Sequence, residues 1–137
     1  MRRPHVLGVS RDAEAFERLA AAMAEAGMRL GWLDLRETPQ APPALAAAAE
    51  LPTFRAVAAG AGRSICVKPL QGPPVLDDLL REHFLGCGLV LIAGAVPTLP
   101  GLEPEGADRW RVSSGSTVRE LATADLVRAL RRPHPFA

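Results

Sequence analysis

The residue types best suited to chemistry gather in "DRWRVSSGSTVRE", residues 108–120. There Ser113-Ser114-Gly115-Ser116-Thr117 follows a short stretch that alternates apolar and polar residues and precedes a helix-like pattern. A turn of this kind at a helix start offers backbone N–H groups, hydroxyls and the positive end of the helix dipole, which suit a phosphate or a carboxylate. The same residues also read as a plain cap, because Thr117 and Glu120 form a T-x-x-E capping box that satisfies those N–H groups internally. Composition leaves both readings open.

Three other positions could serve such a site. Lys68, the single lysine of the chain, stands before Pro69 at the end of "SICVKP" and could add charge to a phosphate or ribose contact, or stand solvated beside a turn. Asp34, near the end of "RLGWLDL", could hold a ribose hydroxyl or lie on the surface. Gly94 closes "GLVLIAG". The first strand-to-helix turn, "GVSRDAEAF", lacks the G-x-G-x-x-G of a dinucleotide loop, and Ser10 or Asp12 there reads as a helix cap. The two cysteines, Cys66 and Cys87, have no CxxC spacing and read as packing thiols. His5, His83 and His134 form no pairing with Ser, Cys or Asp that spacing supports, so no catalytic residue and no metal ligand is assigned.

The elements that must position these residues follow from periodicity. "HVLGVS" (5–10), "RLGWLDL" (29–35), "RSICVKPL" (63–70), "GLVLIAG" (88–94) and "DRWRVS" (108–113) read as strands. "RDAEAFERLAAAMAEAGM" carries Phe16, Leu19, Met23 and Ala26 at helical spacing, and Gly27 closes it. The Ala-rich "ALAAAAELPTFRAVAAGAG" is helix-prone, with Pro52 expected to break or restart it, helices are also expected over "VLDDLLREHFLGC" and over residues 117–132, and "AVPTLPGLEPEGA" (95–107) reads as a loop. Five strands alternating with helices predict one α/β domain over residues 1–137: a three-layer α/β/α Rossmann-like fold with a mostly parallel sheet and a flexible tail from about 133. In such sheets ligands sit beyond the carboxyl ends of the strands, which marks Ser10, Asp34, Lys68, Gly94 and the 113–117 turn.

Residues 57–125 resemble the cofactor-binding domain of the aldehyde dehydrogenase superfamily. The likeness is carried by an Ala-Gly-rich run, then Lys68-Pro69, Pro74, Gly88, Gly94 and Gly115-Ser116-Thr117 in that family's order. It implies NAD or NADP as cofactor, Lys68 at the adenosine ribose and Ser116 with its neighbours at the pyrophosphate. The family's Pro-Pro-Gly is missing, and neither Cys66 nor Cys87 sits where its nucleophile belongs, so the resemblance implies binding without dehydrogenase activity. "FRAVAAGAGRSICVKPL" with "GLVLIAG" is also similar to the Rossmann domain of the glucose–fructose oxidoreductase family, with Val67 in place of the Glu of its Glu-Lys-Pro motif.

Composition narrows the function classes. Sixteen basic residues against 15 acidic ones leave a net charge of +1, which provides no footprint for nucleic acid. The longest apolar run has a strand's length, so no membrane span and no signal peptide is expected, and cysteine usage fits a reducing cytoplasm. The sequence therefore predicts a small module binding a nucleotide or another phosphorylated molecule at its strand ends. The alternative is a non-catalytic interaction protein, oligomeric, whose turns are only caps.

Overall fold

The computed structural model describes residues 3–36, 43–45, 47–48, 51, 55–68, 70, 72–94 and 96–136. Contacts group the chain into two compact units, residues 1–36 with 77–137, and residues 37–76.

The first unit is built on a six-stranded sheet. Strand β1 (His5–Val9) leads through a 3-10 turn (Ala13–Phe16) into helix α1 (Glu17–Glu25) and then into strand β2 (Leu30–Asp34). The second unit contributes strands β3 (Ala56–Gly60) and β4 (Arg63–Val67). Helix α2 (Leu76–His83), strands β5 (Leu89–Ala93), β6 (Gly101–Pro104), β7 (Arg109–Ser114) and β8 (Thr117–Ala122), and helix α3 (Thr123–Ala129) complete the chain. Among the described residues the sheet order is β2-β5-β1-β6-β7-β8, and β3 and β4 pair with each other alone.

Strands β1, β2 and β5 run parallel in full register, with Leu7 opposite Leu91 and Leu91 opposite Trp32. Every residue of β5 is buried, which explains why it reads as an unbroken apolar run: both of its faces are covered. On one face Leu7, Val9, Leu91, Leu102, Trp110 and Val112 meet Phe16, Leu19 and Met23 of the α1 segment and Leu126 and Val127 of α3. Val90 and Ile92 are buried on the opposite face, where Phe84 lies against Gly31. A Cβ on Gly31 would come within 2.6 Å of the Phe84 ring, so this strand position admits only glycine without movement of the ring.

The expected mostly parallel Rossmann sheet is not what forms. Strands β6, β7 and β8 make an antiparallel meander, joined to the parallel strands by the short β1–β6 contact at Gly8 and Gly101. The reason is local turn chemistry. Gly115 has φ of +60° and, with Ser116, forms the two-residue turn between Ser114 and Thr117, so residues 117–122 return as a strand. Glycine at the first central position is the hairpin signature that keeps the strand twist continuous. The helix expected over 117–132 is therefore confined to α3, and Thr117 caps nothing. The start of α3 is instead fixed by the Thr123 hydroxyl, which accepts the indole N–H of buried Trp110 at 2.8 Å.

A second hairpin replaces the end of the expected Ala-rich helix. Ala61 and Gly62 have φ of 31° and 80°, a tight turn that folds Ala56–Gly60 back on Arg63–Val67. Strand β6 lies within the stretch read as a loop: Leu102 is fully buried opposite Val112, and Pro104 takes the last position, where its missing N–H costs little. After Pro133, Phe136 packs into the core and the Pro135 carbonyl accepts from Arg119.

Candidate functional site

The parallel strands bring Ser10, Asp34 and Gly94 to their carboxyl ends, as the sequence pattern anticipates. The charges there are spent on one another. The Arg36 guanidinium donates to both Asp34 carboxylate oxygens, at 3.1 and 2.9 Å, and to Asp12 at 3.2 Å, while its backbone N–H adds a 2.8 Å bond to Asp34. The side-chain bond from Arg36, followed by the backbone bond, holds the Asp34 carboxyl below the usual range, and the Arg36 guanidinium is raised in turn. Beside them the Ser10 hydroxyl donates to Glu103, whose other oxygen stands 3.7 Å from Arg11. Among the described residues two guanidinium groups thus face three carboxylates. Gly94 has a packing explanation: with φ of +133°, a Cβ there would sit 3.0 Å from Leu35 Cβ.

The remaining candidates of the first unit do not join this cluster. Ser114, Gly115, Ser116 and Thr117 form the turn between β7 and β8. Asp34 lies on one edge strand of the sheet and Thr117 on the other, so no single ligand pose uses both. The anion reading of this turn required a helix N-terminus, and a strand follows instead. Lys68 is half-buried just past β4 and belongs to the second unit.

A cavity opens at the opposite end of the parallel strands. Its volume is about 390 Å3, and its lining includes Arg3, His5, Met28, Cys87, Leu130 and Arg131. Parallel β-α topology puts helix C-termini beside the amino ends of strands, and two basic side chains satisfy carbonyls there. His5 Nε2 donates to the Leu130 carbonyl and Arg131 to the Ala26 carbonyl, each at 2.9 Å. Arg3 has Asp77 at 3.9 Å as its ion-pair partner, both groups well exposed. No carboxylate is among the described lining residues. Burial pushes the Cys87 thiol up, and nearby Arg29 opposes that shift without reversing it, so Cys87 is a poor nucleophile at neutral pH.

Sequence reasoning missed this cavity. Arg3, His5, Met28, Cys87 and Arg131 share no spacing and no motif, and only the return of each helix to the same end of the sheet assembles them. Among the described residues no group of three or more His, Cys, Asp or Glu side chains could hold a metal ion. None of the helices is long and apolar enough to cross a membrane, among the described residues. No protein-family model matches the chain, and no curated protein or solved structure shows a significant match to it.

Proposed function

We propose that this protein binds a small phosphorylated or otherwise anionic molecule in the cavity at the amino ends of its parallel strands. The observation that carries this reading is a cavity of about 390 Å3 bearing Arg3, His5 and Arg131 and no carboxylate among its described lining residues. Its size falls within the range of small-ligand pockets, roughly 300–1,000 Å3. Arg131 gives one N–H to Ala26 and keeps its remaining donors for a ligand, and guanidinium donors match phosphate oxygens in geometry and charge. Nothing in the described lining supplies an activated nucleophile or a carboxylate base, so the proposal is of binding rather than catalysis.

The test is a thermal-shift titration with inorganic phosphate at constant ionic strength. A ligand that binds only the folded state stabilises it by about 2.7 kcal/mol at a hundred times its Kd. A saturable rise in Tm is expected, weakened in Arg3→Ala and in Arg131→Ala and unchanged in Ser116→Ala. A flat titration refutes the reading.

A second reading, self-association, draws on the β3–β4 hairpin, whose Val57 and Ile65 are 64% and 71% exposed. Two-stranded hairpins are marginal in water without further packing. Light scattering across a concentration series tests it, with the mass of an oligomer expected to fall to that of the monomer in Ile65→Glu.

A further inference from the structure

We infer that two copies of this chain join along strand β4, in an antiparallel register that sets Ile65 opposite the partner's Ile65. This rests on the self-association reading and goes on to specify the edge, the register and the residue on the twofold axis.

The hairpin turns an unused row of backbone groups outward. Ala61 and Gly62 form its two-residue turn, so Gly60 and Arg63 are the closing, hydrogen-bonded pair. Along an antiparallel ladder such pairs alternate with pairs that exchange no backbone bonds. Arg63, Ile65 and Val67 therefore turn their N–H and C=O groups to β3, while Ser64 and Cys66 turn theirs to the outer edge of β4. Among the described residues no third strand takes them up. The side chains are equally open, with Arg63, Ser64, Ile65 and Cys66 all exposed. A two-stranded hairpin is marginal in water, and added strands are what stabilise it.

Strand β4 fits a copy of itself. Identical strands that meet antiparallel about a twofold axis perpendicular to the sheet keep side chains of the same facing opposite one another. The five residues Arg63–Val67 overlap completely when Ile65 lies on that axis. Ser64 then stands opposite the partner's Cys66, and the outward backbone groups of each meet those of the other. Arg63, the one charged residue between Ala56 and Val67, falls opposite the partner's Val67, so no like charges meet. Ala58 lies beside Ile65 in the hairpin, so the pairing joins Ala58, Ile65 and their symmetry mates into one apolar band. Edge strand β8 shows the contrary pattern. Arg119 and Glu120 occupy the middle of its six residues, and pairing it with itself about either one sets Arg against Arg or Glu against Glu. Like charges guard that edge, and β4 carries no such guard.

Disulfide cross-linking of the full chain carrying Cys66→Ser and Cys87→Ser decides the matter, with light scattering of that parent protein alongside. Opposite residues that exchange no backbone bonds have Cα atoms about 4.5 Å apart, within disulfide reach. With diamide as the oxidant, Ile65→Cys in this parent should give a covalent dimer, and Val57→Cys, on β3 and away from the axis, should not. Ser64→Pro supplies a second variant, because it removes an outward N–H and leaves the bonds between β3 and β4 in place. Its loss of one backbone bond on each side of the axis should raise the dimer Kd by about tenfold or more. A dimer that cross-links through Val57→Cys and not through Ile65→Cys would overturn the β4 pairing and leave self-association standing. So would a dimer whose Kd Ser64→Pro does not move. A parent protein that stays monomeric at every concentration would remove self-association itself, and the inference with it.

Discussion

Replacing Thr123 with valine tests how the end of the sheet is joined to the last helix. Trp110 is 3% exposed and Thr123 7% exposed, and the indole N–H donates to the Thr123 hydroxyl at 2.8 Å. Valine keeps the shape and the β-branch but removes the acceptor, leaving a buried donor without a partner. An unsatisfied buried donor costs about 1–3 kcal/mol, and the added methyl recovers part of that by apolar burial. A net loss of about 1–2.5 kcal/mol is expected. For a chain of this length that corresponds to a fall in Tm of roughly 3–8 °C. Urea unfolding followed by tryptophan fluorescence measures the loss directly, with an unchanged m-value showing that the folded state keeps its compactness. Trp110→Phe retains a ring against Phe16, which stacks on Trp110 at 5.6 Å, and removes the donor. Adding Thr123→Val to that background should then cost about 1 kcal/mol less than it does alone, the coupling expected of a direct contact. A Thr123→Val loss under about 0.5 kcal/mol, or strict additivity of the two changes, would refute the claim that this bond anchors α3.

Other consequences follow from the packing and the charges. Gly31→Ala should destabilise by about 1–3 kcal/mol, because its Cβ would meet the Phe84 ring at 2.6 Å, and Phe84→Leu should restore part of the loss in the double variant. Asp34 is held below its ordinary range by Arg36, so its pairing contributes stability above the unfolded-state value, about pH 3.9, and loses it as pH falls through the lower folded-state value. Asp34→Asn should therefore flatten the acid limb of Tm against pH, and an unchanged slope would show that the pair contributes nothing. Cys66 is exposed whereas burial raises the Cys87 thiol, so a disulfide reagent at pH 7.5 should label Cys66 rapidly in Cys87→Ser and reach Cys87 more slowly in Cys66→Ser.

Strands β1, β2 and β5 are legible in the sequence because their signals are local: apolar runs of strand length, closed by Ser10, Asp34 and Gly94. Helix α1 is legible for the same reason, through Phe16, Leu19 and Met23 at helical spacing. The region after Gly94 is not, because two local signals compete there. Thr117 with Glu120 spells a helix cap, while Gly115-Ser116 spells a hairpin turn, and pairing of β7 with buried Leu102 of β6 decides for the hairpin. Likewise Ala56–Gly60 has helix propensity, yet the positive φ of Ala61 and Gly62 turns it into a strand. Propensity differences of a few tenths of a kcal/mol per residue yield to a ladder of backbone bonds made with distant residues.

The sequence by itself determined a balanced charge, the apolar strands of an α/β sheet and the placing of Asp34 and Gly94 at strand ends. Tertiary structure alone decided how the charged groups are grouped. At the carboxyl ends Arg11 and Arg36 are paired with Glu103, Asp34 and Asp12, whereas at the amino ends Arg3, with Asp77 at 3.9 Å, and Arg131 meet the His5 ring around a cavity with no carboxylate among its described lining residues. That distinction depends on contacts between segments as far apart in the chain as His5 and Leu130, 125 residues along, and no spacing rule carries it.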